Sequence, residues 1–226
     1  MTPAAGPALS YDRRMVGWLS VGQLVTWGSV FYTFALLMEP VERELGLSRA
    51  QSSLAFSLAL LAEGLLAWPV GRLIDRGHER AVMTLGSLAV ALCLFLHSFV
   101  SSVAGFYAVW LGLGAALSAT LYNPVFAVVT RRFPHDFRRA IITLTFLGGL
   151  ASTVFIPLSA WLIHALGWRQ ALWVLAALQL LVCAPLHARW LRGAPRRAIA
   201  PATASTDARP SHSLAHHLRS APFLLI

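Results

Sequence analysis

The sequence predicts an all-α membrane protein in which six transmembrane helices form one bundle, with both ends of the chain on the cytoplasmic side. Three observations lead to this prediction. Hydrophobic residues make up 57% of the chain and charged residues only 12%, which is about half the charged fraction of a typical soluble domain. Six long apolar segments are separated by short polar links. The basic residues lie almost entirely on one side of these segments.

Each apolar segment is long enough to cross a bilayer, since about 20 apolar residues rising about 1.5 Å each span a hydrocarbon core of roughly 30 Å. No segment alternates with a period of two, so helices are expected rather than strands. The six predicted spans cover residues 16–38, 49–70, 80–99, 103–130, 137–164 and 169–188.

The links between the spans carry the boundary signals. The second span begins at Ser48-Arg49-Ala50-Gln51, which has the form of a capping box. A ten-residue turn over 71–80 leads into the third span, and the serine pair at 101–102 leads into the fourth. The fifth span ends before Gly167, because glycine is a typical helix stop. The sixth ends where the chain turns polar and basic.

The orientation comes from the arginines, which supply all eighteen basic residues. Fifteen lie before the first span, in the links after the second and fourth spans, or after the sixth. The positive-inside rule therefore places both ends of the chain in the cytoplasm, which requires an even number of spans. The three on the other side are Arg43, Arg49 and Arg169.

Several function classes are excluded by what the chain lacks. A net charge of +9 would suggest nucleic acid as the partner of a soluble chain, but here the topology accounts for the arginines, so the expected partner is the lipid bilayer. Cys93 and Cys183 lie inside apolar spans, which indicates neither a disulfide nor a metal site. The sequence contains no hydrolytic triad, phosphate-binding glycine loop or metal-ligand spacing. We therefore expect no enzyme activity, no catalytic residue, no metal and no cofactor.

Three regions are expected along the chain. Residues 1–15 form a cytoplasmic N-terminal segment without the features of a cleavable signal peptide. Residues 16–190 form the transmembrane bundle. Residues 191–226 form a cytoplasmic linker, rich in Pro, Ala, Ser, Thr and Arg, followed by the start of a second half. A new apolar run begins at Pro222 and stops after five residues, so the chain is expected to be truncated where a seventh span begins.

The turn over 71–80 reads GRLIDRGHER. It resembles the signature loop between helices two and three of the major facilitator superfamily, Gly-x-x-x-Asp-x-x-Gly-Arg-Lys/Arg. Gly71, Asp75 and Arg80 match the first, fifth and tenth positions, and Arg76 matches a frequent choice at the sixth.

The loop departs from the family pattern at two positions, the eighth and the ninth. Gly77 comes one position early, and His78 and Glu79 replace the usual Gly-Arg. For the matched positions, the resemblance implies a cytoplasmic gate. There Gly71 permits two helices to approach closely, and Asp75 accepts from a helix N-terminus or from an arginine across the gate.

Three further segments resemble one branch of this superfamily, the bacterial relatives of monocarboxylate and oxalate/formate transporters. They are TWGSVFYTFALLMEPVERELGLSRAQ, LYNPVFAVVTRRF and GGLASTVFIPLSAWLIHALGWRQAL. The resemblance implies the N-terminal half of a major facilitator fold in a bacterial inner membrane. It also implies secondary transport of a small organic anion by alternating access. Such a half needs the missing C-terminal half or a second copy. The alternative is a truncated fragment that does not transport, or a structural or interaction membrane protein.

Glu63 is the sharpest candidate for a transport residue, because it lies near the middle of the second span. An ionisable group at that depth costs about 3 kcal/mol on insertion scales, so it should face protein or water. One interpretation is a protonatable group that couples the substrate to H⁺. The other is a structural hydrogen bond to a neighbouring helix.

The first span carries a candidate substrate wall. Gln23, Thr26 and Trp27 are three and four residues apart and share a face, with Tyr32 further along the same span. In the family this span lines the cavity; ordinary interhelical hydrogen bonding is the alternative.

Polar residues elsewhere in the spans have weaker functional interpretations. In the fourth span, Asn123 precedes a proline that interrupts the helix. Its amide either satisfies a carbonyl freed by Pro124 or points at a ligand. His97 and His164 lie near span ends, where an interfacial position is expected.

Overall fold

The computed structural model describes residues 12–193. Within that range the chain is helical with short connections and contains no β-strand, which confirms the all-α prediction. The predicted linker and second-half start fall almost wholly outside the described residues. The helices in chain order are α1 (Arg13–Leu45), α2 (Arg49–Leu73), α3 (Glu79–His97), α4 (Val103–Leu117), α5 (Tyr122–Arg132), α6 (Phe137–Leu166) and α7 (Trp168–Trp190).

Five helical runs in this part of the chain are long and apolar enough to cross a membrane. Three of them are α1, α6 and α7, and a fourth joins α4 to α5 through a turn. The remaining run, Arg49–His97, has 49 residues and joins α2 to α3 through a π-helical stretch, Ile74–His78. A straight helix of that length would extend about 74 Å, more than twice a bilayer core. The run is interrupted at Gly77, whose φ of 87° is not helical, and both α2 and α3 pack on α4.

The predicted boundary signals are present at the helix ends. Ser48 and Gln51 form the reciprocal capping box at the start of α2. Gly167 ends α6 with a φ of 83°, and its N–H donates to the Ile163 carbonyl at 2.9 Å. Asp12 caps α1, since its carboxylate accepts from the backbone N–H groups of Arg14 and Met15. These caps give hydrogen-bond partners to backbone N–H and C=O groups that would otherwise be unpaired at the helix ends.

Two hydrophobic clusters divide the interior along α1. The first half of α1 packs with α5 and the start of α6, through residues such as Leu19, Val128 and Leu144. The second half packs with α4, α6 and α7, through residues such as Trp110 and Leu172. A polar layer on α1 lies between the two clusters and contains Gln23, Thr26 and Ser29, all fully buried. This layer positions the candidate site.

Candidate functional site

Gln23 joins α1 to the break between α4 and α5. Its Nε2 donates to the Thr120 carbonyl oxygen at 2.7 Å. In a continuous helix that carbonyl would accept from the N–H of residue 124, but residue 124 is proline and has no N–H. The chain instead leaves the helical path at Ser118–Leu121 and resumes at Tyr122. The side chain of Gln23 therefore supplies the hydrogen bond that the helix lacks.

Asn123 does not fill that role. The sequence offered it as a partner for the freed carbonyl or as a ligand-facing residue, and the structure assigns the carbonyl to Gln23. Asn123 itself is exposed at the start of α5, so the ligand-facing interpretation stays a prediction.

Thr26 belongs to a buried polar cluster between α1 and α7. Gln179 Nε2 donates to Ser29 Oγ at 2.9 Å and to Thr26 Oγ1 at 3.3 Å. Cys183 Sγ lies 3.9 Å from Thr26 Oγ1. Gln23 and Thr26 thus face neighbouring helices and are fully buried, which is the arrangement that interhelical hydrogen bonding requires. Their role as substrate ligands stays a prediction.

An aromatic surface lies beside this layer. Trp27 packs against Tyr122 and Phe31, with ring centroids 5.2 and 4.4 Å apart. The Trp27–Tyr32 segment forms a π-helical turn within α1, a distortion found frequently at functional sites. Trp27, Tyr32 and Tyr122 are all half-buried. The indole Nε1 of Trp27 has no hydrogen-bond partner among residues 12–193.

Glu63 is half-buried on α2. Its neighbours Gly64, Leu65 and Leu66 are exposed, so this stretch of α2 faces outward from the described bundle. No residue in the described range hydrogen-bonds or ion-pairs with its carboxylate. The structural-hydrogen-bond interpretation therefore finds no partner within this half, and the proton-carrying role stays a prediction.

The matched loop positions lie at the surface. Asp75 and Arg76 are exposed, while Arg80 Nε donates to the Ala188 carbonyl at 2.8 Å and ties α3 to the end of α7. A Cβ built at Gly71 would meet nothing within 4 Å among the described residues, so no helix of this half approaches it closely, and its role in the gate stays a prediction. The close approach of this kind lies at Gly114 of α4, where a Cβ would come within 2.1 Å of the Ala59 carbonyl oxygen.

Glu79 is the buried carboxylate of this loop, and the sequence analysis missed it. It is fully buried at the start of α3, where Arg132 Nε donates to its Oε1 at 2.6 Å. Arg131 Nη1 lies 3.4 Å from the other carboxylate oxygen. Arg132 also donates to the Arg192 carbonyl at 3.2 Å. The one available signal was that glutamate replaces a family arginine at this position.

A second ion pair lies at the end of the bundle opposite to Glu79. Arg169 Nη2 lies 2.6 Å from Glu44 Oε1 and donates to the Val100 carbonyl at 2.8 Å. The indole of Trp168 donates to Glu44 Oε2 at 2.9 Å. The links after α1, α3 and α6 therefore meet at one end, whereas Glu79, Arg132 and Arg192 meet at the other.

Two histidines, His97 and His187, are buried inside the bundle. His97 ends α3 and is 1% exposed, packed among Phe106, Trp110 and Trp168, and its interfacial depth stays a prediction. His187 of α7 is fully buried, with Nδ1 at 2.8 Å from Ser87 Oγ of α3. The argument that selected Glu63 does not select His187, because His187 lies at the end of the predicted sixth span and Glu63 near the middle of the second. His164 is exposed near the end of α6, and its interfacial position stays a prediction.

Comparison with known proteins places these features in a family. A family model described as Major Facilitator Superfamily matches residues 19–226. The chain is 33% identical over 160 residues to monocarboxylate transporter 13 of Bos taurus, an alignment that covers 69% of this chain and 35% of that protein. It is 35% identical over 116 residues to monocarboxylate transporter 13 of Rattus norvegicus, covering 50% of this chain and 26% of that protein. The chain thus spans about a third or less of these curated relatives.

Proposed function

The chain belongs to the major facilitator superfamily, and we propose that it forms the N-terminal six-helix half of a secondary transporter that carries a small organic anion by alternating access. One observation carries the proposal. Gln23, one turn before the π-helical segment Trp27–Tyr32 of α1, donates to the Thr120 carbonyl at the break between α4 and α5, beside the half-buried aromatic surface of Trp27 and Tyr122. Secondary transporters build their midplane sites from interrupted helices of this kind.

The anion class is supported by the donors at this surface. A carboxylate only accepts hydrogen bonds, and an indole N–H only donates them. The hydroxyls of the half-buried Tyr32 and Tyr122 and the amide of the exposed Asn123 can donate at this surface. The buried Trp27 Nε1–H has no acceptor within the described half and becomes a further donor when the solute displaces the packing over it. The names of the two relatives point to the same chemical class. We propose a short monocarboxylate as the solute.

Six spans follow if Gly77 separates two membrane crossings. The left-handed backbone at Gly77 and the packing of both α2 and α3 on α4 support a reversal of direction in the 49-residue run. The two ion-pair clusters support spans that alternate in direction. One cluster brings together the links after α1, α3 and α6, and the other brings together Glu79, Arg132 and Arg192. The arginine-rich end is then cytoplasmic by the positive-inside rule, and we propose the bacterial inner membrane as the location.

Coupling and gating are assigned to residues on α2 and the loop that follows it. Glu63 has no partner among residues 12–193, and we assign it the coupling H⁺. Asp75 is exposed at the cytoplasmic end, where an arginine from the second half or from a second copy would reach it. Alternating access needs two bundles that rock about the site between them, so transport requires that second bundle.

The test is uptake of radiolabelled short monocarboxylates into proteoliposomes. One preparation contains this chain, and another contains the same chain extended by the reading frame that follows it. We expect uptake by the extended protein, at least a tenfold loss on Trp27→Ala, and no loss on Trp161→Ala, an exposed tryptophan of α6. An extended protein that inserts and stays monodisperse but takes up no monocarboxylate would overturn the proposed solute class. Equal uptake in the Trp27→Ala variant would overturn the proposed site.

A further inference from the structure

Two cavities meet at the arginine-rich end of the bundle, away from the site around Gln23. The first has a volume of about 730 Å³ and lies between the start of α1, the end of α5 and the end of α7. The second has a volume of about 400 Å³ and runs between α1 and α7. Arg189 and Trp190 line both cavities. The two cavities therefore adjoin at these side chains, and together they form a depression with a basic end and an apolar end.

The basic end carries uncompensated positive charge. Five arginines line the first cavity, and of these only Arg132 has an ion-pair partner among residues 12–193. The one carboxylate in the lining, that of Asp12, accepts from two backbone N–H groups of α1 and offsets one of the four remaining arginine charges, so the cavity keeps a net positive charge. Residues 1–11 contain no acidic residue and residues 194–226 contain one, Asp207. The four guanidinium groups left over belong to Arg13, Arg14, Arg189 and Arg192.

The apolar end opens on the outer surface of the bundle. Its lining is apolar apart from Arg189, with Trp18 on α1 facing Leu181 and Pro185 on α7. Leu181 is 71% exposed, which is ordinary for a side chain that faces lipid. The Trp18 and Trp190 rings stack with centroids 6.3 Å apart where the two cavities join, and tryptophan is enriched at the level of lipid headgroups.

We propose that this depression binds one anionic phospholipid, with the phosphate among the arginines of the first cavity and an acyl chain along the groove between α1 and α7. Guanidinium groups bind phosphate oxygens through paired, charge-assisted hydrogen bonds. The cytoplasmic leaflet, where the arginine-rich end is placed, supplies anionic lipid. A soluble phosphate would satisfy the basic end alone and leave the adjoining apolar groove without a role, so the lipid accounts for both cavities.

The lipid would hold together helix ends that are remote in the chain. Arg13 and Arg14 precede α1, whereas Arg189 and Arg192 lie at the end of α7. Four like charges around one cavity repel each other, and a phosphate between them converts that repulsion into attraction. Bound lipid is therefore expected to raise the thermal stability of the bundle. This inference depends on membrane location and is independent of any transported solute.

The experiment measures lipid binding to the purified full chain in a neutral detergent by native mass spectrometry. Phosphatidylglycerol and phosphatidylcholine with the same acyl chains are compared. We expect phosphatidylglycerol to bind at least tenfold more tightly, and Arg189→Gln combined with Arg14→Gln to lower that affinity about tenfold or more, as the loss of charge-assisted hydrogen bonds predicts. Arg138→Gln removes an exposed arginine from the start of α6, outside the cavity lining, and is expected to leave the affinity for phosphatidylglycerol unchanged.

A second pair of variants separates lipid from soluble phosphate. Leu181→Asn places a polar group in the groove and is expected to lower the affinity for phosphatidylglycerol severalfold. Leu65→Asn, on the exposed face of α2, is expected to leave that affinity unchanged. Equal binding of the two lipids would overturn the proposal. A second pair of results would also overturn it: inorganic phosphate or glycerol phosphate competes with the lipid at equal affinity, and Leu181→Asn has no effect on lipid binding. Those results would identify a soluble phosphate as the ligand.

Discussion

Gln23 Nε2 lies 2.7 Å from the carbonyl oxygen of Thr120. The contact links residues 97 positions apart, and both ends of it are buried in the polar layer of the bundle. It stabilises an interruption of the α4–α5 run at a place where the backbone cannot satisfy its own carbonyl. Just after the interruption, the half-buried Tyr122 and the exposed Asn123 lie at the surface where we place the solute.

The first prediction concerns that contact. Gln23→Met keeps the volume and apolar stem of the side chain but removes the donor, so the buried Thr120 carbonyl loses its partner. We expect a loss of about 1–3 kcal/mol in the free energy of unfolding, measured as a lower midpoint of thermal unfolding in detergent. Thr145→Val is the control, because Thr145 is exposed and bonds the Ile141 carbonyl of its own helix. Equal midpoints for the two variants would contradict the assignment.

The second prediction concerns the buried pair of Glu79 and Arg132. Glu79→Gln leaves Arg132 buried without its counter-charge, and losses of about 3–5 kcal/mol accompany the breaking of such pairs. Replacing both residues by methionine should cost less than Glu79→Gln alone, because the buried Arg132 charge is removed together with its partner and only the partly exposed Arg131 keeps its charge. The measurement is again thermal unfolding. If the double variant is less stable than Glu79→Gln, the attraction within the ion pair exceeds the free energy needed to bury its two charges, which would contradict this prediction.

The third prediction separates gating from stability. Asp75 is exposed and has no partner among residues 12–193, so Asp75→Asn should leave membrane insertion and unfolding unchanged. In a protein that includes the second bundle, the same substitution should lower the transport rate, because the proposed pairing across the gate is lost. Normal transport by Asp75→Asn would show that the degenerate loop has no gating role.

The fourth prediction is the membrane topology. Reporter fusions after Gly46, Ser102 and Gly167 should report a periplasmic location, and fusions after His78 and His135 a cytoplasmic one. The physical reason is the arginine asymmetry together with the reversal at Gly77. A cytoplasmic signal after Ser102 would mean that the 49-residue run does not cross the membrane twice.

The fifth prediction concerns Glu63. Glu63→Gln preserves the shape and hydrogen-bonding capacity of the side chain and removes its titration. In a protein with both bundles we expect pH-driven uptake to be abolished, while exchange of labelled for unlabelled solute persists. Retention of pH-driven uptake would make Glu63 structural.

Much of the architecture was determined by the sequence because it depends on local physics. Apolar length predicts membrane helices, and the capping box at Ser48 and the glycine stop at Gly167 depend on neighbours within a few residues. Pro124 predicts that one helical hydrogen bond is lost, but not that the helix stops, since Pro40, Pro69 and Pro157 lie inside uninterrupted helices. Family membership also followed from the linear pattern around Gly71 and Asp75, without any knowledge of contacts.

The pairing of polar groups across the bundle was decided only by the tertiary structure. Whether Asn123 or Gln23 satisfies the freed carbonyl depends on how α1 is rotated against α4, and the local sequence does not encode that rotation. Glu79 reads as a solvated loop charge until Arg132, from another helix end, is placed beside it. His97 lies near a span end in the sequence, but rings from α4 and α7 cover it. Each outcome depends on which distant side chain a helix face meets, because a buried polar group is stabilised only by the partner that packing brings to it.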